Sequence, residues 1–411
     1  MKAYFRKRPI RAIFISIFLD FIAIGFTLPI LPSLFKDEQR NIFEGALPQE
    51  NREILYGLIS GLFFLATFFG APVLGALSGR FGRKNLLAVT AIFTTIGFTV
   101  VGLGIQFKNV EMVFAGRIMA GLFGSIIVII NSSIADVSNL KSKARNFGIT
   151  GVAFGIAFII GPLIGATLSD NSLFPWFDYQ LPYFMAAIVT LLNVIFIYAW
   201  YPETLQEKNY NRISLFTSVR NIVWAFSNRS LRSIFPVMFI LALGFSFYVQ
   251  FFQIFIINKY ALTQTEIGFM LFWVGGCVAF AQGVVLRIIS KKFSSISVLK
   301  FSIPAMSVTF ILMLLPQNPL YFALLIPFMA VAQGLTFPNA LAIISNSADD
   351  NVQGEIIGIN QSVQAMASSA PIFLGAFAAA HMEFPMIFGC ACTLVAWVLL
   401  LIFYRSKRLG Y

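Results

Sequence analysis

Gly75-Ala76-Leu77-Ser78-Gly79-Arg80-Phe81-Gly82-Arg83-Lys84 joins an apolar run at 56–77 to a second at 86–104. Each run has the length needed to cross a bilayer core, about 20 apolar residues. A turn between two spans that carries Arg80, Arg83 and Lys84 belongs on the cytoplasmic side, where short loops concentrate Lys and Arg. Its glycines permit a tight turn, and its cations suit helix C-termini and lipid phosphates. Worked outward from this turn, the chain reads as a series of membrane-crossing helices.

Composition agrees. Of 411 residues, 58% are hydrophobic and 11% are charged, with a mean hydropathy of +0.83. An ordinary soluble domain carries about 25% charged residues. The net charge of +12 comes from cations in short turns, where they set orientation, and does not mark a nucleic-acid surface. The 47 phenylalanines are expected to face lipid or to pack between helices. Cys277, Cys390 and Cys392 lie in apolar runs, so neither a disulfide framework nor a metal site is expected. His381 falls at a predicted helix end. Residues 1–11 are basic, and the apolar run 12–31 lacks a small-residue cleavage site, so it reads as a retained first helix rather than a signal peptide.

Twelve apolar segments are predicted, at 11–33, 54–78, 86–107, 110–135, 146–169, 182–201, 233–256, 266–290, 297–315, 319–346, 355–380 and 383–404. Placing both termini in the cytoplasm leaves Lys36, Arg40, Arg52, Lys108 and Lys259 as the only cations on the opposite side, with Arg117 alone inside a segment. That asymmetry fixes the topology. The polar stretch 202–232 divides the segments six and six, giving a half at 1–201, a cytoplasmic linker, and a half at 233–411. Gly283, Arg287, Lys291 and Lys292 close the eighth segment much as the quoted turn closes the second. Two six-helix bundles with a mid-membrane site between them is a recurrent transporter plan. The fold class is therefore all-α and polytopic.

In the first segment, Asp20 lies about nine residues deep, roughly 13 Å at 1.5 Å per residue. A charged carboxylate at such depth costs about 2.5–3.5 kcal/mol on insertion scales. Glu111, Asp136, Glu266, Glu355 and Glu383 all fall near segment ends. Downstream, Pro29 removes the donor that would pair with the Gly25 carbonyl, and Pro32 does the same to Leu28. In the fourth segment Arg117, Gly121, Gly124 and Asn131 share a helical face, and Arg117 is expected to face a central cavity and bond the freed Gly25 carbonyl. The fifth carries Gly151, Gly155, Gly161-Pro162 and Gly165, spacing that lets helix backbones approach. In the second half, Ser246, Gln250 and Gln253 share a face, Gln282 precedes a turn, Gln333 and Thr336 lie on the tenth segment, and Asn360, Gln364 and Ser368 line one face of the eleventh. Such neutral groups either bond between helices or line a cavity. As a set they suggest recognition by hydrogen bonds.

The ordered pattern Gly-x-Leu-Ser-x-Arg-Phe-Gly-Arg-Lys between segments two and three resembles the signature loop of the major facilitator superfamily, with Gly79 where that family usually has an acid. Asp20…Gly25…Pro29-x-x-Pro32, Arg117 with Gly121, Ser133-Ile-Ala-Asp136, Ala144-Arg145-Asn-Phe-Gly148, Gly155-x5-Gly161-Pro162-x-x-Gly165 and Tyr201-Pro202-Glu203-Thr204 resemble its drug:proton antiporter branch, in particular tetracycline-type efflux proteins. The resemblance implies a monomeric transporter of a bacterial cytoplasmic membrane, with Asp20 as the proton-coupling group. It also implies conformational roles for Gly75, Arg80, Gly82, Arg83, Lys84, Gly155, Gly161, Pro162 and Gly165. It would place a histidine near Val278 and an acid in segment nine. Neither is present, which argues against a metal–tetracycline substrate.

The expected function is secondary active export of a small amphiphilic molecule in exchange for protons. The alternative is proton-linked uptake or facilitated diffusion of a metabolite. A receptor or embedded enzyme lacks support, having neither a large soluble domain nor a His/Cys/acid cluster. No Gly-x4-Gly-Lys-Ser/Thr loop is present, so the proton gradient, not a nucleotide cofactor, is the expected driving force.

Overall fold

The computed structural model describes residues 8–31, 34, 42, 49–140, 142–171, 173–207, 234–260, 262, 264–347, 353–373 and 383–408. Twelve helical spans run through them: α1 (Pro9–Thr27), α2 (Gln49–Phe81), α3 (Arg83–Gln106), α4 (Val110–Asp136), α5 (Lys143–Leu168), α6 (Leu181–Trp200), α7 (Ile234–Tyr260), α8 (264–292), α9 (Ser295–Leu312), α10 (Pro319–Asn346), α11 (Gln353–Phe373) and α12 (Phe384–Arg408). Eleven are long and apolar enough to cross a membrane, and the Gln- and Asn-bearing α11 is not among them. No strand occurs among the described residues. His381 and most of the 202–232 linker lie outside them.

Helices form because backbone groups in hydrocarbon must bond within their own segment. The hydroxyls of Thr90, Thr94, Thr95 and Thr99 also turn inward, onto carbonyls one turn back in α3. Asn109, Ser294 and Asn318 cap α4, α9 and α10 by accepting a backbone N–H. Proline occupies the first turn of α1, α6 and α10.

Three spans depart from the continuous helices expected. α1 stops at Thr27, and the Leu28 N–H bonds the Gly25 carbonyl at 3.4 Å. The group that Pro29 was expected to free thus finds a donor one residue earlier, as the helix tightens ahead of the proline. Pro32 lies outside the described residues. α4 breaks at Gly124 and Ser125 into Val110–Phe123 and Ile126–Asp136. α8 contains a π-helical turn, Ala281–Val285, between Gln264–Phe280 and Leu286–Lys292.

The α2–α3 turn defines a basic end of the molecule. There one apolar core runs through both halves: Ile13, Ile17, Leu87, Ile130 and Phe147 of the first half share it with Leu341, Ala342 and Ile357 of the second. At the opposite end the cores separate. One, with Phe26, Ile59, Phe98 and Tyr183, stays in the first half; another, with Phe252, Phe310, Phe322 and Met386, stays in the second. Among the described residues, then, the halves are joined at the basic end and form separate cores at the other.

Candidate functional site

The tight turn between α2 and α3 needs Gly82, whose φ is +94°, a backbone region open essentially to glycine. The turn aims Arg83 inward, where it is 1% exposed. Its Nε donates to Asp136 Oδ2 at 3.0 Å and its Nη2 to Oδ1 at 3.3 Å, a paired geometry suited to carboxylate. Its Nη1 donates to Ser78 Oγ, and Thr204 Oγ1 donates to Asp136 Oδ2 at 3.1 Å. Glu203 sits at the start of α3. Its Oε1 accepts the Arg83 N–H at 3.0 Å and its Oε2 the Lys84 N–H at 3.2 Å, an anion at a helix N-terminus. The Lys84 ammonium donates to the Tyr198 carbonyl at 3.0 Å. Burial first, then the Asp136 and Glu203 carboxylates, push the Tyr201 hydroxyl pKa up; Ser133 and Arg83 oppose this. Tyr201 therefore stays neutral. Arg80 alone of the loop cations is exposed, over the Phe81 ring at 5.6 Å. The network ties the ends of α2, α3, α4 and α6 into one unit.

Above it, α2 packs on α11 of the other half. Ser362 Oγ donates to the Phe68 carbonyl at 2.7 Å, and a Cβ on Gly358 would lie 2.8 Å from the Ala71 carbonyl oxygen and 3.3 Å from Gly75 Cα. The glycines of α5 divide their work. Gly155 faces α8, where a Cβ would lie 2.7 Å from the Gly275 carbonyl oxygen; Gly161 faces Gly25 of α1, and Gly165 faces Phe26. Pro162 is half-buried between them.

Asp20 is 4% exposed on α1, and no donor or cation among the described residues reaches its carboxylate. One turn below it, Asn193 Nδ2 of α6 donates to the Ser16 carbonyl at 3.0 Å. Thr190, on the same helix, accepts a hydrogen bond from Thr95 at 2.9 Å. Sequence reading missed Ser16, Thr190 and Asn193. An Asn inside the otherwise apolar run 181–200 was the available signal.

Arg117 does not meet Gly25. Its guanidinium lies over the Phe63 ring of α2, 4.8 Å from the centroid, while Gly25 is pressed against Gly161. Spacing along α4 fixes a face but not which helix crosses it. Gln250 Nε2 donates to the Ser368 carbonyl at 2.8 Å, Ser246 to the Ala367 carbonyl at 3.3 Å and Thr336 to Ser302 Oγ at 2.9 Å; these groups bond between helices. Asn131 and Asn360, 6% and 2% exposed, keep amide oxygens without a described partner. Gln333 and Gln364 are half-buried. Gln282, in the π turn of α8, is packed over Gly151 of α5 and Gly334 of α10. The Gln253 side chain lies outside the described residues.

The family model described as Major Facilitator Superfamily matches residues 13–371. The tetracycline resistance protein, class C, of Escherichia coli is 26% identical over 367 residues, covering 89% of this chain and 88% of that protein. The crystal structure of the human organic anion transporter MFSD10 (TETRAN) superposes with a TM-score of 0.82 at 18% identity, over 96% of this chain and 99% of that one. The proton:xylose symporter XylE gives 0.72 at 14% identity, over 96% of each chain. At these identities the two structures speak for the fold alone.

Proposed function

This chain belongs to the Major Facilitator Superfamily, and from that premise we propose that it exports a small amphiphilic compound across a bacterial cytoplasmic membrane in exchange for protons. It is an integral membrane transporter. The basic end is cytoplasmic, as the Lys and Arg bias requires, and both termini lie there. The halves 1–201 and 233–411 rock about the site between them, joined by the linker 202–232. The transporter works as a monomer, driven by the proton gradient without a bound cofactor.

The observation that carries this reading is Asp20: a carboxyl 4% exposed, deep in α1, with no described donor or cation on it. Structural carboxylates in such places are paired; one left unpaired can take a proton from one side and release it to the other. Kinship with the class C tetracycline resistance protein supports export as the direction. Asn131 and Asn360, one from each half and each with an amide oxygen to spare, are the groups best placed to recognise substrate, and Arg117, Gln333 and Gln364 are the further candidates. α9 has no acid, which argues against a metal–tetracycline cargo.

Cells lacking the transporter should accumulate the exported compound in a screen of amphiphilic drugs. Inverted vesicles should then take up that compound when an inward-acid gradient is imposed, and stop when it is collapsed. Uptake indifferent to the gradient would refute proton exchange.

A further inference from the structure

Ser16 and Asn193 meet at the α1–α6 contact, one turn from Asp20 along α1, and each keeps a buried polar atom that packing does not account for. Ser16 and Asn193 are 0% exposed. Among the described residues Ser16 Oγ and Asn193 Oδ1 have no hydrogen-bond partner, although such atoms are nearly always satisfied when buried. The amide orientation of Asn193 is settled, because its Nδ2 donates to the Ser16 carbonyl at 3.0 Å, which can only accept. Asn193 Oδ1 therefore points elsewhere while the amide stays fixed to α1. Ser16 and Asp20 stand one turn apart on the same face of α1, with Cβ atoms about 5–6 Å apart. One water making hydrogen bonds of about 2.8 Å spans that gap, and the site offers the two to four polar partners a buried water requires.

We propose that Ser16 and Asn193 hold a buried water beside Asp20, through which the coupling proton reaches and leaves the carboxyl. On loading, an O–H bond of a transient hydronium breaks as one forms on an Asp20 carboxylate oxygen, leaving neutral water held by Ser16 Oγ and Asn193 Oδ1. Release runs in reverse. Ser16 and Asn193 are positioning residues that never touch the cargo.

The other charged groups on elements packed against α1 stand clear of this water. Lys143 and Arg145 of α5 and Asp136 of α4 lie at the basic end, Asp136 held by Arg83. Arg117 is over Phe63, and α6 carries no Asp, Glu, Lys or Arg.

The inference rests on Asp20 as the coupling group, and one experiment separates the two claims. The full-length transporter in lipid vesicles is titrated while its carboxyl bands are followed by infrared difference spectroscopy, and the Asp20 band is the one lost in Asp20→Asn. In the wild type that band should show a hydrogen-bonded carboxyl that exchanges rapidly in D2O. In Ser16→Ala and in Asn193→Leu it should move to higher frequency and exchange slower by an order of magnitude or more. Ser16→Thr, which keeps the hydroxyl, should restore both. Should Asn193→Leu fail to fold, the Ser16 pair decides alone. Wild-type band position and exchange in Ser16→Ala would overturn the water path while leaving Asp20 as a titrating group. If Asp20→Asn removes no titrating band, the coupling reading falls and takes the water path with it.

Discussion

Arg83 shows what a single residue does here. Its place in the loop was legible, since a basic Gly-rich turn between two apolar runs has few other readings. Its partners were not: Asp136 and Glu203 lie 53 and 120 residues away, and no local spacing links them. Gly82 makes the network geometrically possible. Alanine there would hold a disfavoured φ of +94° and bring a Cβ within 2.5 Å of Glu203 Oε2. Gly82→Ala should therefore lower unfolding stability by about 1–3 kcal/mol, seen as a reduced melting temperature in detergent. An unchanged melting temperature would mean that the turn relaxes without strain. Arg117 marks the other limit of residue-scale reading. Its described neighbour proved to be Phe63 rather than Gly25, because the crossing of α2 over α4 is a tertiary fact.

At the scale of elements, hydrophobic length placed most spans within about five residues of their ends, and α10 matched at both; the first was drawn past Thr27, where α1 stops, and residues 374–380 of the eleventh lie outside the described residues. The irregularities escaped because they come from packing. The break at Gly124–Ser125 and the π turn at Ala281–Val285 sit in runs about as apolar as most of the continuous helices. The π turn has a consequence at the α5–α8 contact. It presents the Gln282 amide to Gly151, where an added Cβ would overlap it outright, while the Gln282 stem rests 3.1 Å from where a Cβ on Gly334 would lie. Gly151→Ala should evict the amide and shift the protein toward a state open at the basic end. Spin labels at positions 145 and 290 would report the longer distance. Because the amide is the group displaced, Gly151→Ala should add little once Gln282→Ala is present, with a coupling of about 1 kcal/mol between the sites. Additive effects would mean that the backbones, not the amide, hold the contact.

The whole molecule is captured with its halves joined at the basic end. The polar stretch 202–232 suggested a six-and-six division, but nothing in the sequence said which end would be closed, since both states use the same apolar faces. Gly79 bears on that balance. It lies one turn beyond Gly75, which touches Gly358, and α2 and α11 run antiparallel, so residue 79 comes level with the first turn of α11. An acid there gains about 0.3–1 kcal/mol from a helix N-terminus. Gly79→Asp should stabilise the joined state, lowering thiol labelling from the cytoplasmic side and raising it from the other; an unchanged pattern would show that residue 79 has no part in the latch.

Such movements perform work only if a proton travels with them, and Asp20 is the group assigned to carry it. The most direct measurement is made in proteoliposomes containing Asp20→Asn, with a compound whose cellular accumulation rises when the transporter is deleted. Asn keeps the shape of the side chain and cannot titrate. Accumulation driven by a pH gradient should vanish, while exchange of labelled for unlabelled compound, with no gradient, should continue near the wild-type rate. Gradient-driven accumulation at the wild-type level by Asp20→Asn would contradict the account and move the coupling group elsewhere.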